Sequence, residues 1–505
     1  MISTIPLTFT ESMKPVTAEY SLAETELGAP IALMGIPFDN VTREQTIAII
    51  QRMIASRAPH YIATANVDFL VQAQTDVELR RILFDAHLVL CDGTPLLWAS
   101  RWLGNPLAER VAGSDLVPLL LEVASRLDYS VFILGAAEEM NERAVSNIQA
   151  QYPSLNVAGR YSPSPAPLQE MNHDEIRRRI QEANPDILLV AFGCPKQEKW
   201  ISMHYRELGV PVCVGVGATV DFLAGAVKRA PVWMRKAGLE WTWRLAQEPR
   251  RLFGRYMKDF GVFGCGIIRQ LWSTRTRKSG RSPEALQAVP LANDVRVLVL
   301  PERLDAAAVQ QYRDHWEDQI MDGTLVVDLS ATTFIDSTGV GFLMRVRRLA
   351  REKNAPFALV GVTSAVARNI ALMKLSEFFP ISPTVDAAWQ IAQDAMNHSS
   401  GANATADGIA LHLQGEITEA NADESFAYCE EWVRRFAFGK KVSVDLSQVG
   451  FVDSAGISVL VRLRKWVRAT GGEIEMTNPT AAVENVLRVS GLAALLLNGG
   501  ACKSA

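Results

Sequence analysis

Histidine is scarce in this chain, with seven residues in 505, and none forms the H-E-x-x-H pattern of a metal hydrolase. Cysteine is nearly as rare. Cys91, Cys194, Cys213, Cys265, Cys429 and Cys502 stand apart with no C-x-x-C pair, which argues against a zinc site or disulfide framework and for reduced thiols in a cytoplasm. No G-x-x-x-x-G-K-[ST] string occurs, so a P-loop is excluded. Gly215-Val-Gly217 fails as a dinucleotide fingerprint, because Val220 stands where Gly or Ala is required. A net charge of −4 gives no reason to expect nucleic acid as the main partner. The N-terminus has no basic region followed by an apolar one, so no signal peptide is expected. No apolar run reaches the roughly 18 residues of a spanning helix. The nearest, FGVFGCGIIRQLW at 260–272, is short and interrupted by glycine and Arg269. Membrane contact is therefore expected to be peripheral.

What remains is ordinary globular sequence, 48% hydrophobic and 21% charged. Its length suggests three or so units at roughly 150 residues each. Residues 31–270 alternate short apolar runs with helical patterns. SVFILG and DILLVAFG are apolar on both faces, as strands of a parallel sheet covered by helices are. The expected fold is α/β, a Rossmann-like parallel sheet, and ligands of such sheets lie beyond the carboxyl ends of the strands.

Four clusters occupy those strand ends: Thr64-Ala-Asn66-Val-Asp68; Asp92-Gly93-Thr94-Pro95; Gly193-Cys-Pro-Lys196-Gln197-Glu198-Lys-Trp200; and Gly215-Val-Gly217-Ala-Thr-Val-Asp221. Each alone reads as turn and helix-cap chemistry. Four on one rim read as a site.

Residues 271–293 are polar and basic at first and read as a linker. Beyond them lies an internal repeat. VVDLSATTFIDSTGVGFLMRVRRLAR, from Val326, aligns with VSVDLSQVGFVDSAGISVLVRLRKWVR around Val444 at a constant offset of 117, so Asp336-Ser337 corresponds to Asp453-Ser454. Two copies of one small α/β unit are expected, at 294–398 and 407–500.

The strand-end clusters, with Arg110-Val-Ala-Gly113-Ser-Asp115, Lys228-Arg-Ala-Pro231, Gly238-Leu-Glu240-Trp241, Arg244 and Glu248-Pro249-Arg250, resemble the WecG/TagA/CpsF family, glycosyltransferase family 26. The resemblance covers about residues 34–256. It implies inverting transfer of N-acetylmannosamine, its uronic acid or another hexose from a UDP-sugar to a polyprenyl-diphosphate-linked glycan, in cell-envelope or exopolysaccharide assembly. It also implies that no metal or other cofactor is needed. Inversion requires one base to take the acceptor proton, and Asp92 matches the family position proposed for it. Thr64 and Asn66 match residues near the donor sugar. Gln197, with Gly193 and Gly217, matches donor-binding positions, its amide being suited to sugar hydroxyls. Arg110 matches a position suited to diphosphate. Arg244, Arg250, Arg251 and Arg255 match an arginine-rich segment that holds the lipid diphosphate. The alternative for Asp92, Asp68 and Asp115 is capping, and for Cys91 and Cys194 it is packing.

Between Lys228 and Lys258 there are nine Lys/Arg against Glu240 and Glu248, interleaved with Trp233, Trp241, Trp243, Phe253 and Tyr256. That composition favours an anionic membrane surface over a solvated face or an RNA patch. The implied location is cytoplasmic, on the inner face of the cell membrane.

The duplicated units resemble STAS domains, which bind partner proteins. Ser337 and Ser454 stand where a partner kinase phosphorylates many of them. A phosphate there would add charge to a docking surface, while the alternative is that both serines cap helices. STAS domains for regulation or tethering complete this reading. Its rival is an inactive scaffold working through the same domains, with a regulatory protein or kinase as partner.

Overall fold

The computed structural model describes residues 29–497 apart from 228–229, 232, 235–238, 248, 276–286, 292–294, 312–323, 353–354, 356, 377, 383, 385–386, 388–400, 406–407, 419–420, 437–440 and 490–491. The motif residues Lys228, Arg229, Gly238 and Glu248 and the side chain of Arg251 lie outside the described residues.

The chain opens with a hairpin, β1 (Ile31–Leu33) and β2 (Ile36–Phe38), then α1 (Arg43–Ser56), β3 (His60–Ala65), α2 (Val67–Ala73), α3 (Val77–Asp85) and β4 (Leu88–Cys91). It continues through α4 (Thr94–Trp102), α5 (Gly113–Leu127), β5 (Ser130–Gly135), α6 (Glu138–Gln151), β6 (Asn156–Tyr161), α7 (His173–Ala183) and β7 (Ile187–Ala191). α8 (Lys196–Leu208), β8 (Val212–Gly215), α9 (Thr219–Leu223), α10 (Glu240–Gln247) and the long α11 (Pro249–Arg275) follow. Strands β3 to β8 form one parallel sheet in the order β4-β3-β8-β7-β5-β6. Their side chains are buried on both faces except along the edge strand β6, as the continuous apolar runs require. One core layer packs α1, α5 and α6 on the sheet. The other packs α2, α3, α8 and two residues of α11, Phe263 and Ile267.

The repeat forms two further mixed sheets. In the first, Val295–Val299, Thr324–Asp328, Phe357–Val360 and Ile381–Ser382 run parallel, and Gln287–Leu291 adds an antiparallel edge. Part of the segment read as linker is thus sheet, and its first residues extend α11 to Arg275. In the second, Gly408–Ile417, Lys441–Val452 and Glu473–Thr477 run parallel beside an antiparallel Gly401–Thr405. Each D-S-x-G string opens a helix of 16 residues, Ser337–Glu352 and Ser454–Ala469. The glycine lets the start of that helix press against a neighbouring strand. A Cβ on Gly339 or Gly456 would stand 2.1 Å from the carbonyl oxygen of Leu304 or Ile417.

The first repeat shares its core with the N-terminal unit. Ala32 and Phe84 are buried in the same apolar cluster as Leu343, Phe378 and Phe379, and the Phe84 and Phe378 rings stack with centroids 5.3 Å apart.

Candidate active site

Four adjacent strand ends, those of β4, β3, β8 and β7, meet α10 and α11 around a cavity of about 440 Å³. Thr64, Asn66, Asp92, Arg110, Gly193, Gln197, Gly217, Arg244 and Arg255 all line it. Arg250 lies on α11, exposed, and is not among the lining residues.

Asp92 follows β4, where its backbone N–H donates to the carbonyl of Ala65. Gly93 rather than Asp92 holds the cap position of α4, and no side chain caps that helix. The capping alternative for Asp92 therefore fails, and its carboxylate is open to the cavity. Burial pushes its pKa up to about 6, against the pull of Arg110 and Arg244 and with help from Glu240 and Asp115. A carboxylate tuned there is largely ionised at neutral pH yet basic enough to accept a proton.

Asn66 caps α2, its Oδ1 accepting from the N–H of Asp68 at 3.0 Å and of Phe69 at 3.4 Å. Thr64 is buried and donates its hydroxyl to the carbonyl of Gly215 at 3.0 Å, tying β3 to β8. Gln197 is buried too. Its Oε1 accepts from the backbone N–H of Gly193 and of Gly217, each at 3.1 Å, and its Nε2 donates to Glu198 at 2.7 Å. The amide expected to meet sugar hydroxyls is thus committed to shaping two loops. Gly215 makes room for it, since a Cβ there would lie 2.8 Å from Gln197 Nε2. Glu198 is buried with one oxygen unpartnered, and burial raises its pKa to about 7.

The arginines divide into two kinds. Arg110 is bound to Asp115 at 2.6 Å and to Glu240 at 2.8 Å, so it ties α5 to α10. Burial opposes its charge, but Glu240, Asp115 and Asp92 together outweigh burial and raise its pKa. Asp115 is thereby an ion-pair partner rather than a free acid. Arg244 has looser partners: Glu240 at 4.0 Å and the face of Phe222 at 5.1 Å, with its buried Nε unbonded. Arg244 and the exposed Arg255 are the cations best placed for an anionic ligand.

Sequence reasoning missed the α11 wall. Tyr256, Asp259 and Phe260 line the cavity, and Trp241 on α10 packs edge-on against Tyr256 and Phe260 at 6.2 and 5.3 Å. Asp259 is buried, and burial together with Asp68 raises its pKa to about 6. The available signal was its position four residues after Arg255, on the same helix face.

A profile of the glycosyl transferase WecG/TagA/CpsF family matches residues 31–277, and a STAS domain profile matches 288–388 and 402–500. The N-acetylglucosaminyldiphosphoundecaprenol N-acetyl-beta-D-mannosaminyltransferases of Staphylococcus aureus strains MRSA252 and MW2 are each 32% identical over 237 residues, 46% of this chain and 91% of theirs. The chain belongs to the WecG/TagA/CpsF family. It is a family glycosyltransferase unit followed by two STAS domains. Among solved structures, a putative anti-sigma factor antagonist from Thermotoga maritima is 24% identical, covering 20% of this chain and 85% of that one, with a TM-score of 0.18. A STAS domain protein from Planctomyces limnophilus is 20% identical, covering 21% and 96%, with a TM-score of 0.20. The site residues above all lie within the segment matched by the family profile.

Proposed function

We propose that the chain transfers N-acetylmannosamine, or a related hexose, from a UDP-sugar to an N-acetylglucosamine carried on a polyprenyl diphosphate. The observation that carries this reading is the Asp92 carboxylate lining one cavity with Arg244 and Arg255. The names of the staphylococcal relatives supply the sugar and acceptor class.

Asp92 would accept the proton of the acceptor hydroxyl as that oxygen attacks the anomeric carbon. The bond from that carbon to the UDP oxygen breaks on the opposite face, which inverts the centre. Arg244 and Arg255 neutralise the charge gathering on the departing diphosphate, so transfer proceeds without a metal. Thr64 and Asn66 set the floor on which the donor sugar rests. Gln197 holds the Gly193 and Gly217 loops that close around it.

The acceptor brings the enzyme to the inner face of the membrane. Trp102, Trp233, Phe253, Met257 and Trp272 are large apolar side chains left exposed. Among the described residues no helix is long and apolar enough to cross a membrane. Contact through these side chains and the neighbouring arginines suits an anionic lipid surface.

The test is a donor screen on purified chain with a short-chain polyprenyl-diphosphate N-acetylglucosamine, measuring UDP release with and without a chelator. Release with a UDP-N-acetylhexosamine, undiminished by chelator and abolished by Asp92→Asn, is expected. Failure with every UDP-sugar would overturn the transferase reading in favour of a scaffold.

A further inference from the structure

Both D-S-x-G corners are covered by the transferase domain. Ser337 is 0% exposed. Its Oγ accepts from Gln270 Nε2 at 2.9 Å, and the same Nε2 donates to the carbonyl of Ala32 while Oε1 accepts from the N–H of Met34. Gln270 lies on α11, the helix that lines the cavity with Arg255, Tyr256 and Asp259. Ser454 lies against Glu78 of α3. The Glu78 carboxylate accepts both the Ser454 hydroxyl and, at 2.7 Å, its backbone N–H. Glu78 thus caps a helix of another domain, where a carboxylate meets the positive end of the dipole. Its other oxygen pairs at 2.8 Å with Lys199 of α8, the helix that carries Gln197.

The repeat copies therefore use one corner for two different landings, Ser337 on the helix that lines the cavity and Ser454 on α3, which Glu78 ties through Lys199 to the helix carrying Gln197. We propose that the transferase domain is the binding partner of both STAS domains through these corners. We further propose that the Ser454–Glu78–Lys199 contact is the releasable one, opened by negative charge at position 454.

The two interfaces differ in the way this requires. The first combines interlocked packing with polar contacts, Asn105 with Asp336 and Arg348 with the carbonyl of His87, each at 3.1 Å, and borders a cavity of about 620 Å³ beside Gln270. Phe84 stacks on Phe378, and Gly341 touches the chain so closely that a Cβ would stand 1.8 Å from the carbonyl oxygen of Pro30. The second rests on polar contacts, Arg81 with Glu416 and Arg81 over the Phe451 ring at 4.2 Å. A cavity of about 320 Å³ remains between the domains beside Ser454, lined also by Glu78, Lys196, Lys199 and Asn485. Ser337 faces the neutral amide of Gln270 whereas Ser454 faces a carboxylate, so added negative charge is opposed at the second corner and not at the first. An added carboxylate at 454 would face the Glu78 carboxylate in a partly buried setting, where like charges repel strongly. A separate STAS-binding protein would have to displace Glu78 to reach the same corner.

The consequence for catalysis rests on the proposed transferase activity, whereas the docking does not. The test is hydrogen exchange on the full chain, comparing wild type, S454A, S454D and E78Q/S454D. S454D should speed exchange in peptides covering 77–85 and 196–208 by about tenfold or more, with S454A near wild type. E78Q/S454D, in which the repulsion is gone, should return to near wild-type protection. Wild-type exchange in S454D would overturn the proposal. So would fast exchange that persists in E78Q/S454D, because the helix would then simply be damaged. In the same samples UDP release should change between wild type and S454D. Unchanged release alongside fast exchange would reduce the second STAS domain to a tether and overturn the coupling. A wild type silent with every donor would sink the transferase reading and leave the docking result standing.

Discussion

The Gln197 side-chain oxygen lies 3.1 Å from the backbone nitrogen of Gly217 and accepts its hydrogen bond. The same oxygen serves Gly193, so one buried amide fixes the loops after β7 and β8. Gln197→Ala would leave both N–H groups without an acceptor, at about 1–3 kcal/mol each where water cannot replace it. Lower stability in urea unfolding is expected, together with a raised donor KM, because the loops lose their shape. A fold and KM unchanged by the substitution would show that the two loops hold their shape without Gln197.

Asp92 and Asp259 both face the cavity with raised pKa values, and their substitutions separate base from bystander. Asp92→Asn should lower kcat by about 10²–10⁴-fold, and Asp259→Asn by far less. Wild-type kcat/KM should rise with pH through about 6 and level off above it, because the base works only when ionised. If Asp259→Asn carries the larger loss, the base has been assigned to the wrong wall of the cavity.

The same shift makes a stability prediction of opposite sense. Asp92 has a folded-state pKa of about 6 against an ordinary 3.8. Its protonated form is therefore favoured by folding. The stability tied to that proton is full below the ordinary value and lost as pH rises through about 6. At neutral pH the charge costs the fold about 1–3 kcal/mol. Asp92→Asn should raise Tm at neutral pH and change it little at about pH 4. A Tm that falls at neutral pH would mean the charge is better compensated than burial implies.

How far the sequence already carried the site depends on what kind of contact each residue makes. Asp92, Thr64, Asn66 and Gly217 were legible because strand ends of a parallel sheet must share a rim. The D-S-x-G strings were legible because the repeat printed them twice. The strand-end place of Gln197 is legible, but nothing in P-K-Q-E says that its amide points to Gly193 and Gly217. Asp259, Tyr256 and Phe260 reach the cavity only because α11 folds back over it. The spacing of Asp259 from Arg255 marks a shared helix face, but not what that face packs against. The covered serines are the same case, since Gln270 and Glu78 meet them across domains.

Arg110 and Arg244 should respond differently to truncation. Arg110 bridges the partly buried Asp115 and Glu240, so Arg110→Ala removes the cation shared by two carboxylates and should cost about 3–5 kcal/mol of stability. Arg244→Ala removes an arginine with looser bonding, and should spare stability while lowering kcat/KM by about tenfold or more. Chemical unfolding and UDP-release kinetics on both variants decide it. Equal stability losses would show that Arg244 is structural as well.

The exposed row on α11 provides the membrane test. Phe253, Met257 and Trp272 are each at least 60% exposed, and Arg250, Arg255 and Lys258 stand on the same helix. Inserting such side chains into lipid contributes about 25 cal/mol per Å² of apolar surface buried, and the cations add attraction that salt weakens. Wild-type chain should sediment with anionic vesicles at low salt and be released at high salt. Phe253→Ser with Met257→Ser should weaken binding by about tenfold or more. The double variant should keep UDP release on a water-soluble acceptor, because neither side chain lines the cavity. Vesicle binding indifferent to both salt and substitution would place the membrane contact elsewhere on the chain.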